Sequence, residues 1–336
     1  ESWDTKMKVL FIGGTGTISS ACTRLALEQG VELYLFNRGQ TSTDLPAGAH
    51  LIQGDINNRD EAEALLKGHT FDTVVDWIAF GVEQVERDIE LFSGRTGQYV
   101  FISSASAYQK PVAHYRIDEG TPLANPFWEY SRKKIACEDR LMREYRDNGF
   151  PITIVRPSHT YSPSRLPTAI GGGPNVIARL RAGKKLIVHG DGESLWVMTH
   201  NTDFAKAFNG LFAHPKAIGH AYQITSDEVL TWNQIYAILG TAAGAEPQLV
   251  HIPSDFINHH DPATGAGLLG DKACSVVFDN SKIKELVPGY TATVSFSQGA
   301  KECVAWLDAD PQRAQIDKEK EAMMDRVITA YEKAWA

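Results

Sequence analysis

The first half of the chain alternates short apolar runs with segments of helical spacing, and this pattern constrains the fold more than any other feature. The predicted strands are Lys8–Gly13, Val31–Phe36, Leu51–Gln53, Thr73–Val75, Tyr99–Ile102 and Ile152–Val155. The predicted helices between them are Gly16–Gln29, Arg59–Lys67, Val82–Phe92 and Asn125–Asn148. Apolar strands separated by helices predict an α/β fold whose parallel sheet is covered on both faces.

After about Arg156 the pattern loosens. Prolines from Pro157 to Pro174 surround a run of three glycines, and such loop-rich segments often carry binding residues. Later strands are predicted at Leu186–Val188, Tyr222–Thr225 and Leu249–Ile252, and later helices at Thr202–Phe212, Thr231–Leu239 and Gln315–Trp335. We predict a first domain over residues 7–156, to which some later segments return, a smaller substrate-binding lobe over 157–310, and a C-terminal helix over 311–336.

Composition excludes several classes of protein. The 336 residues are 43% hydrophobic and 22% charged with a net charge of −8, which suits a soluble globular protein and argues against binding to nucleic acid. No apolar stretch is long enough to span a membrane, and the charged start of the chain is unlike a secretory signal. The four cysteines are far apart, which favours a reducing, cytoplasmic location. His259, His260 and Asp261 are predicted to be a solvated loop, and we expect no metal site.

A glycine-rich turn, Gly13-Gly14-Thr15-Gly16, separates the first strand from the first helix. Small residues at this place allow the backbone to approach a pyrophosphate, which the start of the helix then binds through its amides. We predict that Gly13, Gly16, Thr17 and Ile18 bind a dinucleotide; the alternative is an ordinary tight turn. Ser19 replaces the third glycine of the usual fingerprint and is small enough to be tolerated.

The end of the second strand lacks the acidic residue that usually binds the adenosine ribose. Asn37 and Arg38 stand there instead, and a guanidinium suits a 2′-phosphate, so NADP is slightly favoured over NAD. Asp55 ends the third strand, where it is predicted to accept a hydrogen bond from the adenine amino group. A solvated Arg38, and an Asp55 that caps the next helix, are the alternatives.

Tyr130 is the only tyrosine with a lysine, Lys134, four residues later, which places both side chains on one face of a helix. An ammonium beside a phenol lowers the pKa of the phenol, so this pair predicts an acid/base near neutral pH. Ser104, which follows the fifth strand, is predicted to hydrogen-bond a reacting carbonyl or alkoxide.

These motifs together resemble the short-chain dehydrogenase/reductase superfamily in its extended, epimerase/dehydratase-like form. The similar segments are GGTGTIS at 13–19, GDI at 54–56, FISSASAY at 101–108, YSRKK at 130–134, IVRPSHTY at 154–161, GDGESLWVMTHNTDFA at 190–205 and VVFDNSKIKEL at 276–286. The resemblance covers about Met7 to Leu307 and implies a Rossmann-type, doubly wound parallel sheet with a smaller C-terminal substrate-binding lobe.

The resemblance also implies roles for individual residues. Ser104, Tyr130 and Lys134 would be catalytic, with Tyr130 and Lys134 also touching the cofactor. Ile56 would lie on the cofactor side, as would Ala79 and Phe80, which follow the fourth strand. Extended members commonly pair through the helices that follow strands four and five, which implies a homodimer.

Three departures from the family pattern bear on the substrate. Ala105 and Ser106 replace the Asp-Glu pair of the dehydratases, which disfavours 4,6-dehydration. Trp196 replaces an arginine that grips a nucleotide diphosphate, so we expect a substrate other than a typical nucleotide sugar, unless Trp196 is a core residue and the phosphates are held elsewhere. His159 lies where family members line the substrate pocket, as a substrate ligand, an acid/base or a structural donor.

The function predicted from the sequence is that of an NAD(P)-dependent oxidoreductase or epimerase acting on a secondary alcohol or ketone of a sugar or polyol derivative. Net redox chemistry and epimerisation both stay open. Residues predicted to contact the substrate are Phe80, Ser106, Trp128, His159 and Trp196. The alternative is a non-enzymatic dinucleotide sensor or an RNA-binding relative, against which the Tyr130–Lys134 pair argues.

Overall fold

The computed structural model describes residues 5–39 and 45–336. Its strands, in chain order, are β1 (Lys8–Ile12), β2 (Glu32–Asn37), β3 (His50–Gln53), β4 (Thr73–Asp76), β5 (Tyr99–Ile102), β6 (Arg116–Ile117), β7 (Ile152–Pro157), β8 (Thr160–Tyr161), β9 (Lys185–His189), β10 (Leu195–Trp196), β11 (Thr199–His200), β12 (Ala221–Ile224), β13 (Leu230–Thr231), β14 (Gln248–Ile252) and β15 (Val277–Phe278). Its α-helices are α1 (Ser19–Glu28), α2 (Arg59–Leu66), α3 (Val82–Phe92), α4 (Glu129–Asn148), α5 (Gly173–Arg181), α6 (Asn201–Phe208), α7 (Trp232–Ala243), α8 (Ser254–His260), α9 (Pro262–Gly267), α10 (Ser281–Leu286), α11 (Phe296–Asp308) and α12 (Lys318–Lys333).

A parallel sheet of seven strands, in the order β12-β7-β5-β4-β1-β2-β3, forms the centre of the molecule. The chain builds outward from β1 through β2 to β3 and then returns to β4 on the other side of β1. The carboxyl ends of β1 and β4 therefore flank the point where the direction reverses, which is where open α/β sheets hold their ligands. The predicted α/β class with a Rossmann-type parallel sheet is confirmed.

Alternate side chains of β1 enter separate cores on the two faces of the sheet, as the two-residue period of a strand requires. Val9 and Phe11 pack in the cluster that includes side chains of α1 and α6. Leu10 and Ile12 pack in the cluster that includes side chains of α2, α3 and α4. Because both faces are buried, the strand reads in the sequence as a continuous apolar run rather than as an alternation.

The start of α4 differs from the prediction. The helix begins at Glu129 rather than at Asn125. The side-chain oxygen of Asn125 accepts hydrogen bonds from the backbone amides of Phe127 and Trp128, both at 3.1 Å. This local turn competes with the helix and delays its first residue, so that Trp128 lies just before α4 and beside Tyr130.

The residues after 157 form most of two further cores. One packs α5, α7 and α11 around the buried indoles of Trp196 and Trp232, and the other packs α12 against Ile187 and Ile252. β12 and α6 return to the central sheet, where β12 pairs with β7. The division of the chain at residue 157 stays a prediction. Within the described ranges, none of the helices has the length and apolarity that crossing a membrane requires.

Candidate active site

The glycine-rich turn follows β1, and two of its glycines have positive φ angles that other residues rarely adopt. Gly13 and Gly14 have φ angles of +93° and +104°, and a Cβ atom on Gly14 would lie 2.8 Å from a methyl carbon of Leu35. Ser19 is not only small enough to replace the third glycine of the fingerprint. Its hydroxyl also accepts a hydrogen bond of 2.9 Å from the amide of Gly16. The start of α1 has no side-chain cap, so no side chain competes with a phosphate for the amides at this end of the helix.

A methyl group at Gly14 should disrupt this turn. We expect Gly14→Ala to lower the affinity for NAD⁺ at least tenfold and to lower the melting temperature, because the new Cβ meets Leu35 and the φ angle disfavours any side chain. Calorimetric titration and thermal unfolding measure the two effects.

Gly30→Ala is the matched control. Gly30 also has a positive φ angle, +79°, but its Cβ would meet nothing within 4 Å. Gly30→Ala should lower the stability of the fold by about 1 kcal/mol and leave the affinity for NAD⁺ unchanged. Equal losses of affinity in the two variants would contradict a cofactor role for the turn.

The predicted adenosine-side residues lie at the ends of β2 and β3, beside the turn. Arg38 is exposed, and Asn37 accepts a hydrogen bond from the amide of Gly39. Asp55 accepts a hydrogen bond from the amide of Asn57. The N-cap of α2 is Asn58, so Asp55 does not have the alternative role of capping this helix. Ile56 is buried in the core.

Ser104, Tyr130 and Lys134 are brought together on a cavity of about 520 Å³, although they come from β5 and α4. The same cavity is lined by the whole glycine-rich turn and by Trp77, Ile78 and Phe80, which follow β4. Pro157, His159 and Thr160 also line it. A turn suited to pyrophosphate and a Ser/Tyr/Lys group thus share one cavity.

The Lys134 ammonium anchors the loop that follows β4. It donates hydrogen bonds to the carbonyl oxygens of Ala79 (2.9 Å) and Ile102 (2.8 Å) and lies 4.6 Å from the centre of the Phe80 ring. Burial lowers the pKa of Lys134 to about 8, and nearby Cys137 and Asp76 offset only part of this effect.

The buried Lys134 predicts a pH-dependent stability. The pKa of Lys134 is about 8 in the folded protein and 10.5 in the unfolded chain. Between these pH values the unfolded chain binds more protons than the folded protein, so the stability of the fold rises with pH. We expect the free energy of unfolding of the wild type, relative to Lys134→Met, to increase by up to about 3 kcal/mol across this window. Urea denaturation at a series of pH values measures it.

Lys133→Met serves as the control, because this neighbouring side chain on α4 is 58% exposed. The difference between the wild type and this variant should stay constant with pH. A constant difference for Lys134→Met as well would contradict the predicted effect.

The pKa of Tyr130 is not lowered, as its spacing to Lys134 predicts, but raised. Burial raises its pKa above the ordinary value, the charge of Asp271 raises it further, and a hydrogen bond from Ser104 lowers it. The Lys134 nitrogen lies 5.7 Å from the centre of the Tyr130 ring. The sequence predicted a lowered pKa because it could not weigh burial against the ammonium.

The residues predicted to contact substrate fall into two groups. Phe80 and His159 line the cavity, and Trp128 lies next to it with its ring 4.9 Å from that of Tyr130. Ser106 and Trp196 are 2% and 1% exposed and do not line it. The two buried residues therefore lie behind the cavity wall.

Trp196 acts on the cavity through His159. Its indole nitrogen donates a 2.7 Å hydrogen bond to Nδ1 of His159, and its ring stacks on Trp232. Burial and the charges of Lys272 and Arg165 lower the pKa of His159 to about 3. Because an indole is only a donor, Nδ1 of His159 carries no proton, and the neutral ring must hold its proton on Nε2.

Sequence reasoning missed the π-helical turn Leu268–Lys272, which brings Asp271 close to Tyr130. The carbonyl of Gly270 accepts a 2.7 Å hydrogen bond from Asn125. The Lys272 ammonium lies 5.3 Å from the centre of the Trp128 ring. Single π-helical turns are frequent at functional sites, but no local sequence signal announces this one.

Comparisons with known proteins show the family of the chain. The family model described as "NAD dependent epimerase/dehydratase family" matches residues 9–93 and 89–225. The chain belongs to this family. It is 25% identical over 272 residues to the chloroplast stem-loop binding protein of 41 kDa b of Arabidopsis thaliana, covering 76% of this chain and 68% of that one. It is 23% identical over 327 residues to a UDP-N-acetyl-alpha-D-glucosaminuronate decarboxylase of Bacillus cytotoxicus, covering 90% and 98%.

Solved structures of the epimerase/dehydratase type show the same fold. The dTDP-glucose 4,6-dehydratase of Bacillus anthracis, in complex with NAD, superposes with a TM-score of 0.73 at 21% identity, covering 91% of this chain and 98% of that one. The UDP-glucuronic acid 4-epimerase of Bacillus cereus, also with NAD, superposes with a TM-score of 0.71 at 20% identity, covering 91% and 100%.

Proposed function

We propose that this epimerase/dehydratase family member is an NAD(H)-dependent enzyme that oxidises or reduces a secondary alcohol or ketone of a sugar derivative, as net redox chemistry or as epimerisation. The observation that carries the proposal is the single cavity on which the glycine-rich turn meets Ser104, Tyr130 and Lys134. The open turn and the uncapped start of α1 fit the pyrophosphate of a dinucleotide.

In this proposal each side chain has one task. The bound nicotinamide supplies the acceptor or donor of hydride. Tyr130 takes the proton of the substrate hydroxyl in oxidation and returns it in reduction. Ser104 donates a hydrogen bond to the same oxygen, and Lys134 keeps the loop of Ala79 in place while its charge favours the phenolate of Tyr130.

The substrate side is built from aromatic and polar groups. Phe80 and Trp128 offer ring faces next to Tyr130, and the Nε2–H of His159 is a fixed donor for a substrate oxygen. Trp196 would act by holding His159 rather than by touching the substrate. Ring faces beside a fixed donor suit a sugar ring. Position 196 has no arginine, which argues against a diphosphate held as in the nucleotide-sugar enzymes.

A panel of substrates tests the proposal. The protein is incubated with NAD⁺ or NADH and with UDP-sugars, dTDP-sugars, free sugars and polyols, and products are followed by NADH absorbance and by NMR for epimers. Turnover of a member of the panel, abolished by Tyr130→Phe, supports the proposal. Tight binding of a nucleotide sugar would overturn the expectation drawn from Trp196, and no NAD(H) binding would overturn the proposal itself.

The choice of cofactor gives a separate prediction. Relatives solved with NAD favour NAD(H), and the preference for NADP drawn from Arg38 gains no support from them. We expect NAD⁺ to bind at least as tightly as NADP⁺, and Arg38→Ala to weaken NADP⁺ about tenfold through the loss of a charge-assisted contact while changing NAD⁺ little. Calorimetry with both dinucleotides decides; an NADP⁺ affinity tenfold above that for NAD⁺ would restore the preference drawn from the sequence.

A second candidate function is RNA binding, because the chloroplast stem-loop binding protein is among the similar proteins. The net charge of −8 and the Tyr130–Lys134 pair favour an enzyme. Filter binding with a stem-loop RNA separates the two: RNA affinity that Tyr130→Phe leaves intact, without any turnover, would favour this candidate.

Dimerisation through α3 and α4 and a cytoplasmic location also stay proposals. The two helices pack against each other on one face of the sheet. Light scattering that gives twice the mass of one chain would support the dimer, and a monomeric mass would refute it.

A further inference from the structure

Three serine hydroxyls form a continuous row that ends at Ser104, on the cavity that Tyr130 also lines. Ser131 donates a 2.7 Å hydrogen bond to the hydroxyl of Ser106, and the hydroxyls of Ser106 and Ser104 are 2.8 Å apart. Ser104 and Tyr130 line the same cavity, and the nearby Ser104 hydroxyl lowers the pKa of the Tyr130 phenol. Ser131 and Ser106 are 0% and 2% exposed, so water does not compete for these hydroxyls.

The direction of the protons follows from counting donors, since each hydroxyl has one proton. Ser131 gives its proton to Ser106. The buried Ser106 hydroxyl has no other acceptor within hydrogen-bond distance among the described residues, so it gives its own proton to Ser104. The backbone amide of Ser106 also donates to the Ser104 oxygen, at 3.1 Å. With both acceptor positions of Ser104 occupied, its own proton is left for a partner in the cavity, which is Tyr130 or a bound substrate oxygen.

The backbone that carries this row is held in place from the substrate side. The amide nitrogen of Asn125 donates to the carbonyl of Ser106 (2.9 Å) and to that of Gly270 (2.7 Å). Asn125 is 4% exposed. The row therefore joins α4, the turn after β5 and the π-helical turn in one fixed arrangement.

We infer that Ser131 and Ser106 are positioning residues that fix Ser104 as a hydrogen-bond donor toward Tyr130 and the reacting substrate oxygen. The inference rests on the proposed function and deepens it, because it moves Ser106 from the substrate to the support of Ser104. Hydrogen bonds aligned in a row polarise one another, so the donor at the end of the row is stronger than an isolated hydroxyl. Without Ser131, the Ser106 hydroxyl is no longer polarised by a donor behind it, so Ser104 becomes a weaker donor toward the cavity.

The test is the titration of the Tyr130 phenol in the NAD⁺ complex, followed by NMR of ¹³Cζ-labelled tyrosine and assigned with Tyr130→Phe. Ser104→Ala, Ser106→Ala and Ser131→Ala should each raise the phenol pKa, by about one unit for Ser104→Ala and by a large part of that for the other two. Ser131→Thr keeps the hydroxyl and should restore the wild-type titration. Ser158→Ala, a buried serine outside the row, should change nothing.

The outcomes are separable. A shift in Ser104→Ala without any shift in Ser106→Ala and Ser131→Ala would overturn the inference and leave the proposed function standing. If Ser131→Ala does not fold, Ser106→Ala decides in the same way. If the protein fails to bind NAD⁺, the proposed function fails, and the same titration in the free protein still decides whether the row directs Ser104.

Discussion

Tyr130→Phe should lower turnover by roughly 10²–10⁴-fold while leaving NAD⁺ affinity within about twofold of the wild type. The variant removes only the hydroxyl that exchanges a proton with the substrate. The ring, which packs beside Trp128 and Phe80, stays in place. Steady-state kinetics on the substrate found in the panel, with calorimetry for NAD⁺, measure the two effects.

Tyr115→Phe is the matched control, since its side chain is 57% exposed and lies outside the cavity. It should be as active as the wild type. Unimpaired turnover in Tyr130→Phe would remove Tyr130 from the chemistry, whatever the family resemblance implies. A simultaneous loss of NAD⁺ binding would instead indicate a structural role.

Glu138→Gln should destabilise the fold by about 3 kcal/mol or more. Glu138 and Arg156 form a pair in which the side chains are 3% and 6% exposed, with hydrogen bonds of 2.6 and 3.1 Å, and Ser103 donates a third bond of 2.6 Å to Glu138. The substitution keeps the shape and removes the charge, which leaves a buried guanidinium without its counter-ion. The free energy of unfolding in urea measures the effect.

The exposed pair of Arg181 and Asp308 is the matched control. It is also bidentate, at 2.7 and 2.9 Å, but its side chains are 41% and 49% exposed. Asp308→Asn should therefore cost less than about 1 kcal/mol. Equal losses of unfolding free energy in Glu138→Gln and Asp308→Asn would mean that burial does not determine the contribution of the Glu138–Arg156 pair. In the double variant Glu138→Leu/Arg156→Met, much of the lost stability should return, because no unpaired charge stays buried.

Local patterns predicted the elements whose residues interact over short distances. The predicted strands of the sheet all appear, and α2 and α3 begin at the predicted residues. Two helices that are absent from the prediction, α5 and α11, nevertheless have recognisable sequence signals. α5 has Pro174 in its first turn, which is a favoured position for proline, although the surrounding prolines and glycines predict a loop. α11 follows the cap Ser295 and buries Phe296, Ala300 and Cys303 at helical spacing.

The π-helical turn could not have been predicted in this way. It is held by contacts across the chain, from Asn125 to Gly270 and from His189 and Trp232 to the carbonyl of Lys272. These partners are 40 to 145 residues away from the turn. No window of local sequence contains them.

The sequence by itself determined the turn for a dinucleotide and the pairing of Tyr130 with Lys134, because both depend on residues within a few positions of each other on one turn or one helix. Only the tertiary structure decided that Trp196 supports His159, that Ser106 supports Ser104, and that the pKa of Tyr130 is raised rather than lowered. The physical reason is that burial, the direction of a shared proton and the balance of nearby charges depend on distant segments. These properties of the site exist only once α4, the turn after β5 and the π-helical turn have packed together.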